Sequence, residues 1–330
     1  MRYTYVLLLA TLLAGCNPQK KEVAFTGMAQ GTYYAITYFD KEGRDFQPEI
    51  DEFFRAFDSS ASIYLPHSII SRFNQNDSNT VADDIFTHVF NVATRISEQT
   101  NGAFDITTMP LTNAWGFGFT DSTKINPFTL DSLLHLVDYK NVKLVNGKIV
   151  KNHPDMMLDF NAIAQGYSAD MIGEMLEAKG ITDYLVDVGG EVLGHGKKPD
   201  GSYWRVGIEK PAEHAEDARV VEHVVLLKNS ALASSGNYRK FFMRDGIRYS
   251  HTIDPKTGYP VTHSLLSVSV LAEDGISADA YATAFMVMGL EKSKEFLKKH
   301  THLEAHFTYS LPDGKYATWT SPGLQKLMVE

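Results

Sequence analysis

The 330-residue chain has a single cysteine, Cys16, so no disulfide can form within it and stability has to come from a packed core. It also lacks a basic cluster. Its 31 lysines and arginines are outnumbered by 40 acidic residues, for a formal charge of −9. Such a surface offers nucleic acid no attractive field. Beyond the first residues there is no run of ~20 apolar residues to span a bilayer, and there is no internal repeat or low-complexity tract. The familiar phosphate-binding signatures are missing too, since neither a P-loop nor a G-x-G-x-x-G after a strand is present. There is no G-x-S-x-G elbow either, which leaves Ser234 or Ser235 a weak candidate for an acyl-transfer nucleophile. The hydrophobic share of 44% is ordinary for a globular protein.

What is present starts at the N-terminus. Arg2, an apolar stretch over 6–13 and the run Leu13-Ala14-Gly15-Cys16 follow the layout of a secretory signal with a small-residue cleavage site. The Leu-Ala-Gly-Cys setting resembles a bacterial lipoprotein signal, with cleavage before Cys16 and lipid on its sulfur. This implies a signal peptide over 1–15, a lipidated cysteine and polar tether over 16–23, and a folded domain over 24–330. It also implies an extracytoplasmic domain held to a membrane of the cell envelope by its lipid.

Hydrophobic patterning places a strand over 32–39 and a helix opened by Pro48, with Ile50, Phe53, Phe54 and Phe57 on one face. A second helix runs over 84–99 on Ile85, Val89, Ala93 and Ile96 and is stopped by Gly102; Leu130, Leu133, Leu134 and Val137 suggest a third. Hairpins are expected at Asn146-Gly147 and Asp245-Gly246. Residues 156–160 read as a buried strand feeding a helix over 162–178, which Gly180 ends. Further strands are expected over 184–188, 203–209, 220–227, 265–271, 303–309 and 316–320. Helices scattered among hairpins favour an α+β fold with mixed, largely antiparallel sheets over a doubly wound parallel sheet.

Several segments carry candidate chemistry. In 278–289, Asp279 and Thr283 stand four apart in an otherwise apolar helix and so share a face. A buried carboxylate needs a partner, and these oxygens suit a hard cation such as Mg²⁺. The plainer readings are that Thr283 bonds back to the preceding turn and that Asp279 sits near a helix start. Asp159 precedes a helix whose first turn, Ala162-Ile163-Ala164-Gln165-Gly166, is small enough for a ligand to approach the backbone. It would either face a cleft or cap the helix. The segments 188–191 and 233–238 are glycine- and serine-rich, fit either for cradling phosphate or for tight turns. His251 falls at a strand end beside the turn Pro255-Lys256-Thr257-Gly258, a place for a proton acceptor or phosphate contact. The other eleven histidines show no metal-ligand spacing. Aromatic, glycine-rich loops at 102–105 and 115–119 would either flank a flat ring system or fill core.

In order along the chain, these segments resemble the ApbE-type family, the FAD:protein FMN transferases. The elements are Gln30-Gly31-Thr32, Ser62-Ile63-Tyr64-Leu65 with Ser71-Arg72-Phe73-Asn74, Gly102-Ala103-Phe104-Asp105, and Trp115-Gly116-Phe117-Gly118. They continue through LDFNAIAQGYSAD, ASSGNYRKFF, SHTIDPKTGYP and ADAYATAFMVMG. The resemblance implies a single catalytic domain of two intimate lobes, T-fold-like, with FAD as substrate and Mg²⁺ on its diphosphate. FMN would pass to a threonine or serine hydroxyl of a partner flavoprotein as a phosphoester, releasing AMP. That partner would be an extracytoplasmic respiratory or redox subunit. By motif, Asp279, Thr283 and the Ala162 carbonyl would hold the metal. Gln30, Tyr64, Ala103, Phe104, Asp105, Asp159, Gln165 and Ile253 would line the FAD site, and His251 and Asp279 would be the catalytic side chains. Gln30 stands where the family opens with methionine, and Gln165 where many members carry lysine. A Mg²⁺-dependent FAD pyrophosphatase and a non-catalytic flavin-binding lipoprotein are the alternatives.

Overall fold

The computed structural model of the chain describes residues 20–119, 126–211, 220–237, 241–244 and 247–329. From the N-terminus these form β1 (Lys21–Ala29), β2 (Thr32–Asp40), α1 (Gln47–Ala61), α2 (Ile69–Asn74), α3 (Asp84–Gln99), α4 (Met109–Trp115) and α5 (Pro127–Leu134). The hairpin of β3 (Val142–Val145) and β4 (Lys148–Lys151) precedes α6 (Ala164–Ala178). Next come β5 (Tyr184–Val188), β6 (Glu191–His195), β7 (Trp204–Glu209), β8 (Val221–Leu227), β9 (Ser230–Gly236), β10 (Phe241–Arg244), β11 (Ile247–Ser250) and β12 (Leu265–Ala272). The chain closes with α7 (Gly275–Met288), α8 (Leu290–Lys299), β13 (Glu304–Ser310), β14 (Tyr316–Thr320), α9 (Pro322–Gln325) and β15 (Met328–Val329).

An eight-stranded sheet in the order β1-β2-β5-β6-β9-β12-β13-β14 is the frame, and each neighbouring pair in it is antiparallel. The α+β expectation holds. Alternation decides which face each strand presents. On β2, Tyr34, Ile36 and Tyr38 are buried in the main core, whereas Phe39 belongs to a second core behind the sheet. Helices α1, α3, α6 and α7 supply the other side of the main core. On α3 the buried set is Phe86, Val89, Phe90, Ala93 and Ile96, a 3.6-residue stripe, and Asp83 caps the helix by accepting from Phe86 N at 2.8 Å. The second core packs a three-stranded sheet, β15-β8-β7, against the opposite face through Trp204, Ile208, Val225 and Leu227.

Two expectations need correction. Residues 156–160 are buried at Met156, Leu158 and Phe160 but join no ladder. The Asn74 side chain takes the place of a neighbouring strand, its Oδ1 accepting from Leu158 N at 2.7 Å and its Nδ2 donating to Leu158 O at 2.8 Å. Asp159 N then donates to Ile106 O at 2.8 Å. The polar stretch read as tether overlaps β1, which starts at Lys21 and pairs with β2 along its whole length. The turn Asp245-Gly246 lies outside the described residues, though its flanking strands β10 and β11 pair as a hairpin. The same is true of Cys16.

Candidate active site

Helix α7 organises the site. It is buried from Gly275 to Ala282 on every side, as a helix apolar all round must be. Its N-terminal amides are claimed twice. Asp274 accepts from Ser277 N at 2.8 Å, and Asp170, reaching from α6, accepts from Gly275 N at 2.6 Å and Ile276 N at 2.8 Å. The two helices touch backbone to backbone at Gly166 and Gly275. A Cβ on Gly166 would lie 2.2 Å from the Gly275 carbonyl oxygen and 2.8 Å from Asp279 Cβ. That closeness brings Gly166 N within 3.1 Å of Asp279 Oδ2.

Asp279 is buried, and this single backbone bond does not offset its burial, which pushes its pKa up to about 7. Asp170 is likewise pushed up to about 7 by burial, against the two amides it accepts. One turn beyond Asp279, Thr283 and then Val287 emerge from the apolar helix to line a cavity of about 260 Å³.

That cavity also collects residues from four distant stretches. Tyr64 stands at its mouth, 67% exposed, with its ring edge-on to Phe119 at 5.3 Å. Ala103, Phe104 and Asp105 come from the turn after α3, where Asn101 and Gly102 take positive φ. Asp159, Asn161 and Ala162 come from the segment ahead of α6. His251, Thr252 and Ile253 come from the strand end after β11.

The carboxylates differ in what they can still accept. Asp105 Oδ1 takes Thr107 N at 2.8 Å and Thr107 Oγ1 at 2.6 Å, and its Oδ2 takes Tyr139 N at 2.9 Å. Burial raises its pKa even so. With three donors engaged, Asp105 shapes the loop and has little left for a ligand. Asp159 accepts from Asn161 N at 2.8 Å, and burial raises its pKa to about 6. It closes a local turn; α6 starts three residues after Asn161, with no side-chain cap. Of its two expected roles, the structure favours the one facing the cavity.

His251 lies edge-on to Phe117, with ring centroids 6.3 Å apart. Its segment is anchored by Trp115, whose indole N–H donates to Gly258 O at 2.8 Å. Gly258 itself turns with φ +73°, and a Cβ there would meet Leu130 at 2.6 Å. Trp115 lies in the core and Phe104, although buried, reaches the cavity wall; of the other aromatics in these loops, Tyr64 and Phe117 line the cavity and Phe119 stands beside Tyr64.

Three expected residues do not line the cavity. Asp279 sits behind Thr283 in the core. Gln165 lies in the first turn of α6, half-buried. Gln30 forms the β1–β2 turn with Gly31 at φ 52° and 71°, and its amide donates to Ser168 Oγ at 2.6 Å, leaving Oε1 buried without a donor. Of the phosphate-cradle candidates, 188–191 is a tight turn with Gly189 and Gly190 at positive φ, away from the cavity. Much of 233–238 is strand β9, which still brings Ser235 to the cavity wall. Sequence reasoning missed Thr108, Thr112 and Asn161 there, and also Val287, which the i, i+4 step from Thr283 could have found.

The ApbE family model matches residues 30–307. The chain belongs to the ApbE family. A Vibrio cholerae protein named FAD:protein FMN transferase is 36% identical over 290 residues, covering 85% of this chain and 86% of its own. The Escherichia coli K12 protein of the same name is 33% identical over 349 residues, covering 99% and 98%. Among solved structures, the flavin transferase ApbE from Vibrio cholerae superimposes with a TM-score of 0.83 at 31% identity, over 93% of this chain and 99% of that one. The apo flavinyl transferase ApbE of Pseudomonas stutzeri gives 0.84 at 32% identity, over 94% and 97%. The cavity described above thus sits in an ApbE fold, and the segments at 103–105, 159–162, 251–253 and 283 meet in it together with Tyr64, Phe117 and Ser235.

Proposed function

We propose that this ApbE-family enzyme is an FAD:protein FMN transferase that moves the FMN part of FAD onto a threonine or serine hydroxyl of an acceptor protein. In this reaction the hydroxyl oxygen bonds to the flavin-side phosphorus. The bond from that phosphorus to the bridging oxygen breaks, AMP leaves, and the hydroxyl proton passes to a base. The observation that carries the reading is the cavity shared by Asp159, Ala162, His251 and Thr283, which are far apart in sequence.

Mg²⁺ is part of the proposal, and the residues present fit it. Asp279 is a buried carboxylate with one amide donor and a pKa near 7, a group that gains from a cation. Together with the Thr283 hydroxyl and the Ala162 carbonyl it makes an all-oxygen donor set. When bound, the ion would neutralise diphosphate charge. Tyr64 and Phe117 would flank the flavin, and Asp159 would accept hydrogen bonds from it at the wall. Trp115 ties down the 251–258 segment through Gly258, and His251 on the cavity wall would take the hydroxyl proton. Phosphoryl-type transfer depends chiefly on positioning and charge neutralisation, which such a site supplies.

Lipid attachment at Cys16 belongs to the same reading and would hold the enzyme outside the cytoplasm, beside extracytoplasmic respiratory or redox flavoproteins. Cys16→Ala should then abolish fatty-acid labelling. The deciding experiment incubates the protein with FAD, Mg²⁺ and a candidate acceptor flavoprotein. Flavin fluorescence on the denatured acceptor band supports transfer. Free FMN plus AMP would mean hydrolysis, and unchanged FAD mere binding; either result counts against transferase activity.

A further inference from the structure

His306 lies on the face of the main sheet opposite the cavity. Its strand neighbours Ala305 and Phe307 enter the main core, while His306 pairs across to Ser269, whose hydroxyl meets Ser234 behind the sheet. Strand β8 of the small sheet faces it and brings His223 and Glu222. The ligand atoms of these three side chains all lie within 4.8 Å of one another. Residues 222 and 223 would point to opposite faces of a regular strand. A bulge removes that obstacle: Ile208 pairs with His223 and Glu209 with Val221, so Glu222 is the extra residue and both side chains turn to one spot.

The cluster is unsatisfied as it stands. His306 is 1% exposed and its Nε2 has no hydrogen-bond partner; the buried Glu222 Oε2 has none either. Buried polar atoms are nearly always paired, so two orphans at one point call for something between them. The His306 and His223 rings meet edge to face, 5.0 Å between centroids and 70° apart, without a bond between them. Thr320 Oγ1 lies 2.8 Å from His306 Nδ1 on the far side of the ring, as an outer partner that fixes a ligating imidazole does.

We propose that Glu222, His223 and His306 bind a Zn²⁺-class divalent transition ion that clamps β8 to β13, leaving a further coordination position to water. This site is separate from the cavity, shares no residue with it, and differs in ligand chemistry. Imidazole nitrogens select Zn²⁺ or Co²⁺, whereas the Asp279–Thr283–Ala162 oxygens suit Mg²⁺. Sequence spacing hides it, because the two histidines are brought together only by the packing of one sheet on the other.

The test strips the full-length protein with chelator and titrates Co²⁺ in excess Mg²⁺, reading the visible absorption of low-coordinate Co²⁺ and its displacement by Zn²⁺. One equivalent is expected in the wild type, with the band lost in Glu222→Gln and in His306→Gln and retained in Asp279→Asn. Zn²⁺ should raise the melting temperature of the wild type and not that of Glu222→Gln. Glu222 is only half-buried, so this variant carries the test if His306→Gln fails to fold. Absence of a band in folded wild type, its survival in Glu222→Gln, or its loss in Asp279→Asn would each overturn the assignment.

Discussion

Gly166→Ala sets two effects of opposite sign against each other. Gly166 lies in the first turn of α6, and alanine there should stabilise a free helix by about 1 kcal/mol. The packing says otherwise. The new Cβ would sit 2.2 Å from Gly275 O and 2.6 Å from Gly275 C, both backbone atoms, with Asp279 Cβ at 2.8 Å. An ordinary carbon–oxygen contact is about 1 Å longer, so α6 and α7 must part by roughly that distance. Such overpacking costs about 1–3 kcal/mol, and stretching the Gly166 N to Asp279 Oδ2 bond leaves a buried carboxylate unpartnered for about 1–3 kcal/mol more. Sterics outweigh propensity, with a net loss of about 1–5 kcal/mol. Urea denaturation would read this as a lower midpoint at unchanged slope, and FMN transfer should fall with it, since Asp279 moves. A variant as stable as the wild type would refute the close-packing argument, and one that is destabilised but fully active would detach Asp279 from catalysis.

Asp279→Asn keeps the shape and the acceptor for Gly166 N but removes the charge, so transfer should drop to background while the fold survives, checked by in-gel flavin fluorescence beside circular dichroism. Burial raises the pKa values of Asp159, Asp170 and Asp279 to about 6, 7 and 7, so the folded chain holds protons that the unfolded chain has released. Without Mg²⁺, stability should therefore fall as pH rises from about 4 to about 7, measured by denaturation in chelator, and a rise over that window would contradict the burial assigned to these groups. Tyr64→Ala at the exposed mouth should raise KM for FAD with little change in kcat, whereas Trp115→Phe, which deletes the indole bond to Gly258 O, should lower kcat by loosening the segment that carries His251.

How much of this was written in the sequence depends on the range of the forces involved. The apolar stripes of α1 and α3 and the Asn146-Gly147 hairpin are local, and the chain shows them plainly. The Asp279–Thr283 pair stands out in the sequence because a carboxylate and a hydroxyl on an apolar helix break a one-dimensional pattern, although only Thr283 lines the cavity. Residues 156–160 misled because burial and apolar composition look alike whether the neighbour is a strand or, as here, one asparagine side chain. Ser230–Gly236 is small and polar yet a strand, since its pairing with β6 and β12 overrides its weak propensity. Asp170 could not be assigned from sequence, because the amides it caps lie more than a hundred residues later. Glu222 and His306 escaped for the same reason, and a bulge is invisible to periodicity.

The electrostatics of the cavity explain why an acidic chain can accept a diphosphate at all. At an effective dielectric of about 20, a bare carboxylate 4 Å from a phosphate charge costs about 4 kcal/mol. Two carboxylates at the cavity wall already serve protein donors, Asp105 those of Thr107 and Tyr139 and Asp159 the Asn161 amide. Asp279 is the exception. Its pKa near 7 and its one amide donor mean that at neutral pH it carries either a proton or an uncompensated charge, and both states give way to a cation. On the proposed assignment, the burial that destabilises the ionised apo site would be what couples cation binding to diphosphate binding. Protons and Mg²⁺ should compete for Asp279, so the Mg²⁺ concentration needed for half-maximal transfer should fall as pH rises from about 6 to about 8. A requirement that does not change over that interval would place the ion somewhere other than on Asp279.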